Sequence, residues 1–225
     1  MKHGKKYRAV VETMDLKKVY AIEEALKLVH AGKVAKFDES VEVHVKLNID
    51  PKKGDEQVRA AVVLPHGTGK TLKIAVVTST KTKDAQEAGA DLVGGEELIE
   101  KIKIGKAEAF DVLLATPEMM PKLAAVAKIL GPRGLMPSPK TETVTDKIKE
   151  AVEMLKKGKA SFKNDNTGNV HQVIGKLSFD EIKLKENYEA FIDAIAKARP
   201  TGVKGKYLIS ISICSTMGPG LKISL

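Results

Sequence analysis

The sequence holds a single cysteine, Cys214, so no internal disulfide can form, and a reducing compartment follows. No motif frames that thiol as a nucleophile, and it reads as a small half-buried strand residue. Zinc-type Cys–His spacing, HExxH and a serine elbow are all missing, and the residues around Asp165 lack the spacing of a calcium loop. No metal site is expected. His171 stands alone in the sequence and reads as a solvent-facing strand histidine. No apolar run reaches bilayer length, and the basic start MKHGKKYR is not followed by a signal-type core, so the reading is cytoplasmic with no membrane partner.

Nucleotide motifs fail as well. The stretch His66-Gly67-Thr68-Gly69-Lys70-Thr71 ends like a phosphate loop, but GxxxxGK[ST] needs glycine where Leu64 stands. It also needs a following helix, whereas Leu72 to Thr78 reads as a strand. Gly94-Gly95 lacks the GxGxxG spacing. No cofactor is therefore expected and no catalytic constellation is found. The alternative to a binding protein is a phosphate-ester or nucleotide-using enzyme centred on the middle of the chain.

What is present is charge and alternation. The 38 basic and 29 acidic residues give +9 over 225 residues, a balance that favours an acidic partner, most commonly nucleic acid. Residues 1–66 and 160–225 together hold +6, and 67–159 hold +3. Near the end, Tyr207, Ile209, Ile211 and Ile213 alternate with Leu208, Ser210, Ser212 and Cys214, the pattern of a half-buried strand. Its best partner lies far away, at Val41–Ile49, where Val41, Val43, Val45, Leu47 and Ile49 point inward. If the two share a sheet, the residues between them are partly an insertion.

The middle supplies that insertion. Short apolar strands at 72–78, 91–93 and 110–115 alternate with helices near 83–88, 96–103, 118–130 and 145–157, as in a parallel sheet covered on both faces. The fold class is thus α/β and α+β in two domains. The first is an α+β domain built from both chain ends, 1–66 and 160–225, an antiparallel sheet with helices. The second, 67–159, is an inserted doubly wound, Rossmann-like α/β domain with a parallel sheet. Gly67, Gly69 and Gly158 mark the hinge crossings, since glycine tolerates large dihedral changes. In the end-built domain, Met1–Arg8 reads as a basic arm, residues 20–29 and 187–198 as helices, and 161–176 as a hairpin turning at Asn166-Thr167-Gly168-Asn169. Lys36-Phe37 at a strand entrance could be core edge or an RNA stacking surface. The loop Gly131 to Lys140 holds three prolines and two glycines that fix its backbone between helices, and it carries Arg133 and Lys140.

Together, MKHGKKYR, KFDESVEV, PHGTGK, AGADLVGGEELIEKI, ILGPRGLMPSPK, FKNDNTGNVH and STMGPG resemble, in order over essentially the whole chain, the first protein of the large ribosomal subunit in its bacterial form. That L-one family implies an end-built α+β domain with an inserted α/β domain on a two-strand hinge. It implies no enzymatic activity and a monomer when free. Its implied partners are 23S rRNA at the mobile stalk of the large ribosomal subunit, the E-site tRNA whose release it assists, and its own operon messenger, which it represses. The family's RNA surface maps here onto Lys36, Phe37, Ser40, Thr216, Met217 and Gly218, with basic support from Lys2, Lys5 and Arg8. Ser40 stands where many members have threonine, and it retains the hydroxyl. Arg133 and Lys140 match the family's loop and are secondary candidates for RNA or interdomain contact.

Overall fold

The computed structural model describes residues 4–105 and 109–224. Contacts divide the chain into two compact units: residues up to Gly69 with those from Ala160 onward, and Lys70–Lys159.

The chain opens with helix α1 (Lys5–Glu12), a two-residue strand β1 (Val19–Tyr20), helix α2 (Ile22–Ala31) and strands β2 (Ser40–Leu47) and β3 (Arg59–Val63). The basic arm expected over Met1–Arg8 is therefore helical from Lys5, while Met1, Lys2 and His3 lie outside the described residues. Stopping at Arg8 left out Val10, whose side chain packs toward Gly32 at the end of α2. A Cβ on Gly32 would lie 2.8 Å from Met14 Cε and 3.1 Å from both Val10 Cγ1 and the Leu28 carbonyl oxygen, so a larger residue would have to push these neighbours aside.

The second unit follows with β4 (Ile74–Val77), α3 (Thr82–Glu87), β5 (Leu92–Gly94), α4 (Glu96–Ile104), β6 (Val112–Ala115), α5 (Met120–Leu123), α6 (Ala127–Leu130) and α7 (Ile148–Lys156). Its sheet is wholly parallel in the order β5-β4-β6. Alternation along the strands creates two cores. Ala75, Val77, Leu113 and Ala115 meet α4 and the 119–130 segment, while Ile74, Val76 and Leu114 meet α3 and α7. This is the doubly wound arrangement that the apolar strand runs imply. The helix expected over 118–130 is instead a chain of short turns, with 3-10 pieces at Pro117–Met119 and Ala124–Val126. Pro121 has no amide to donate, so one continuous ladder cannot run through it.

The chain then returns through β7 (Lys159–Lys163), β8 (Asn169–Lys176), α8 (Glu181–Lys197), β9 (Leu208–Ser215) and β10 (Leu221–Ile223). The main sheet of the first unit runs β1-β10-β9-β2-β8, antiparallel except where β1 meets β10. β9 is thus its middle strand, and it pairs with β2 from the opposite end of the chain. Val41, Val43, Val45 and Leu47 are all buried, together with Ile211 and Ile213, against α2 and α8. Each such side chain contributes roughly 1.5–3 kcal/mol on burial.

Two strand readings need correction. Ile209 is not inward but 47% exposed, because the β2–β9 register shifts between Lys46 and Leu47. Lys46 faces Ser210 and Leu47 faces Leu208, so Ile209 is the extra residue of a bulge. The segment 161–176 is not a simple hairpin either. β7 pairs with β3 in a separate two-stranded sheet, β8 joins the edge of the main sheet, and one bridge, Asn164 to Val170, closes the turn between them. Helix α8 also begins at Glu181, six residues before the expected start.

Candidate nucleic-acid interface

Strand β2 begins where β9 ends, so the irregular segment before Ser40 lies beside the one after Ser215. What fixes the two together is a carboxylate the sequence reading passed over. Glu39 is fully buried, and a charge in that position must be satisfied. Its Oε1 accepts the amides of Val34 (3.0 Å) and Ala35 (2.7 Å). Its Oε2 accepts Ser215 Oγ (2.6 Å) and the amide of Met217 (3.1 Å). Burial alone would raise this carboxyl, but the hydrogen bonds from Ser215, Ala35, Met217 and Val34 outweigh it and hold it below the ordinary range.

The neighbours of Glu39 complete the clamp. The amide of Ser40 donates to Thr216 Oγ1 (2.9 Å), and the amide of Thr216 donates to the Ser40 carbonyl (3.0 Å). Lys176 Nζ donates to Ser40 Oγ (2.8 Å), and Asp38 accepts the amide and hydroxyl of Ser178 at 3.1 and 2.9 Å. Gly218 is required for a reason internal to the protein, because a Cβ there would come within 2.6 Å of Ser215 Oγ, the hydroxyl committed to Glu39.

On this scaffold stand two large apolar side chains that face outward, Phe37 at 54% exposure and Met217 at 52%, with Lys36 exposed next to Phe37. Apolar faces held rigidly beside cations suit sugar and base surfaces flanked by phosphates. Lys36, Phe37, Ser40, Thr216, Met217 and Gly218 are thus brought together from the two ends of the chain. The hydroxyls of Ser40 and Thr216 are already engaged within the protein, so much of their role is to shape the tip. Lys5 and Arg8 are exposed on α1, and among the described residues neither is hydrogen-bonded to this cluster; Lys2 lies outside the described residues. Arg133 and Lys140 are exposed in the other unit, on a loop whose Leu135 and Met136 pack into its core. Gly67, Gly69 and Gly158 all have positive φ, at 65°, 72° and 104°, which accounts for glycine at each. Gly67 is also anchored, its carbonyl accepting from the buried Asn187 side chain at 2.9 Å.

His171 is not solitary. Its Nδ1 lies 2.8 Å from Nδ1 of His44, its partner across β2 and β8, and His44 Nε2 lies 3.2 Å from Cys214 Sγ. Among the described residues, no group of three or more such side chains could hold a metal ion. Also among them, no helix is long and apolar enough to cross a membrane.

Glu39 was detectable in the sequence. It falls on the inward phase of β2, two residues before Val41, where a charge is out of place unless it is fully bonded. The identity of its partners, Ser215 and Met217, was not detectable, since the pairing spans more than 170 residues.

Comparison with known proteins agrees with this architecture. Residues 28–219 match the model of the ribosomal protein L1p/L10e family. A protein of Mesoplasma florum named large ribosomal subunit protein uL1 is 51% identical over 224 residues, spanning 100% of this chain and 99% of its own length. Proteins of the same name from Chlamydia pneumoniae and the onion yellows phytoplasma are each 50% identical, over 99% of this chain and 96% and 97% of their own.

Proposed function

This chain belongs to the ribosomal protein L1p/L10e family, and on that premise we propose that it is a constituent of the large ribosomal subunit that binds 23S rRNA at the mobile stalk. It is not an enzyme, since its relatives are named as ribosomal proteins. In the proposed role it works on the ribosome beside the tRNA exit site and assists release of E-site tRNA. It also binds its own operon messenger through the same surface and represses translation.

The observation that carries the reading is the tip held by Glu39. Two exposed apolar side chains, Phe37 and Met217, are displayed on backbone that four hydrogen bonds keep in place, in a chain of charge +9. Such a surface binds by fit. RNA meets preformed apolar and hydrogen-bonding contacts with little ordering cost, and the lysines add a salt-dependent term.

Filter binding with a stalk-region fragment of 23S rRNA tests this. Met217→Asp should weaken binding about tenfold or more, the scale of one lost base contact, and Thr216→Ala should weaken it by less. Lys197→Ala, an exposed cation on α8, should cost no more than about twofold. Equal losses in all three would count against the tip as the binding surface. A reporter carrying the operon leader of this chain should be derepressed by Met217→Asp.

A further inference from the structure

The bonds around His44 define a row that crosses four strands. His171 on β8 faces His44 on β2, His44 faces Ser212 on β9, and Ser212 faces Lys222 on β10. At about 4.8 Å per strand, the row extends roughly 14 Å over the sheet face opposite the core. It begins about 13 Å along β2 from Ser40, by the rise of a strand, and so lies within reach of a polynucleotide seated on the tip. His171 and Lys222 are exposed.

One tautomer set satisfies the whole chain of groups. Burial pushes the Cys214 thiol up to about 11, so it is protonated and can donate to His44 Nε2. His44 then donates from Nδ1 to His171 Nδ1, and His171 donates from Nε2 toward Asp165 Oδ2 at 3.5 Å. The pair is neutral in that state. One added proton fits: it enters at His44 Nε2, Cys214 turns from donor to acceptor, and the shared proton crosses the 2.8 Å gap so that the charge settles on His171 beside Asp165. A second added proton would set N–H against N–H. Burial and the neighbouring His171 hold His44 below its ordinary range, with Glu42 opposing them.

Resting on the RNA reading above, we propose that RNA also runs across this open face and that binding is coupled to uptake of one proton by the His44–His171 couple. The surrounding charges are Glu42 and Lys46 on β2, Asp165 before β8 and Lys222 on β10. Lys46 is partly occupied by a bond from its Nζ to the Thr167 carbonyl. The carboxylates Glu42 and Asp165 already favour the cation, and a phosphate over the row adds to them, so the couple binds its proton more tightly in the complex than when free.

The test is calorimetric titration of the full chain with the stalk-region 23S rRNA fragment at pH 6.5, in two buffers of different ionisation enthalpy. Buffer-dependent heats should report uptake of between half and one proton per complex. Affinity should rise as pH falls from 8 to 6, by at most about tenfold per unit. His44→Gln should abolish most of the uptake and flatten the pH dependence. His171→Gln, checked for folding by thermal melting, should do the same. Equal heats in both buffers, or full uptake by a folded His44→Gln protein, would overturn the coupling while leaving tip binding intact. Failure of the wild-type chain to bind the RNA even at pH 6, where the coupling favours the complex most, would overturn the RNA reading itself, and the coupling with it.

Discussion

Glu39 is the residue on which the tip depends. Glu39→Gln keeps the shape but leaves one oxygen, and turns an NH2 group toward donors that the second oxygen now accepts. It should cost about 3 kcal/mol, the penalty of unsatisfied buried groups, and lower RNA affinity without touching RNA. Acid should act similarly. The folded chain holds this carboxyl ionised more firmly than the unfolded chain does. Its contribution is therefore complete above the unfolded-state value of about 4.3 and is lost as pH falls through the lower folded value. Thermal melting between pH 6 and pH 3 should show wild type losing more stability than Glu39→Gln; parallel curves would contradict this. Residue by residue, the exposed members of the site were legible because their motifs are local. Of their support only Glu39 itself was legible; the partners were not, because Asp38, Glu39 and Lys176 act through bonds to distant segments.

Elements were legible where a period repeats and illegible where it breaks. β2 alternates without interruption, and Val41, Val43, Val45 and Leu47 are buried as the pattern has them, while Ile49 lies beyond the strand and is half-buried. β9 obeys the same rule only beyond the bulge near its start, where one extra residue shifts Ile209 out of the core phase, a break that no count within β9 alone can reveal. This gives a sharp comparison. Ile211, 2% exposed, should cost about 2–5 kcal/mol when changed to alanine, whereas Ile209→Ala should stay within about 0.5 kcal/mol. Denaturant midpoints of the two variants measure the difference, and equal losses would refute the bulge. The 161–176 segment failed for a related reason. Turn chemistry at Asn166–Asn169 fixes the reversal but not which sheet each flanking strand joins.

At the scale of the whole molecule, the two larger sheets arise from different physics in one chain. The parallel sheet of residues 70–159 forms from strands close in sequence, with the middle strand β4 buried on both faces. The five-stranded sheet requires β2 to find β9 and β8 across that block, which places the tip where the two ends of the chain meet. The central claim is that RNA is bound by this tip. Its most direct test is the change in backbone amide resonances of the full chain on titration with the stalk-region 23S rRNA fragment. The account predicts that the largest shifts fall on Lys36–Ser40 and Thr216–Gly218. Shifts confined to residues 70–159, with those two segments unmoved, would contradict it.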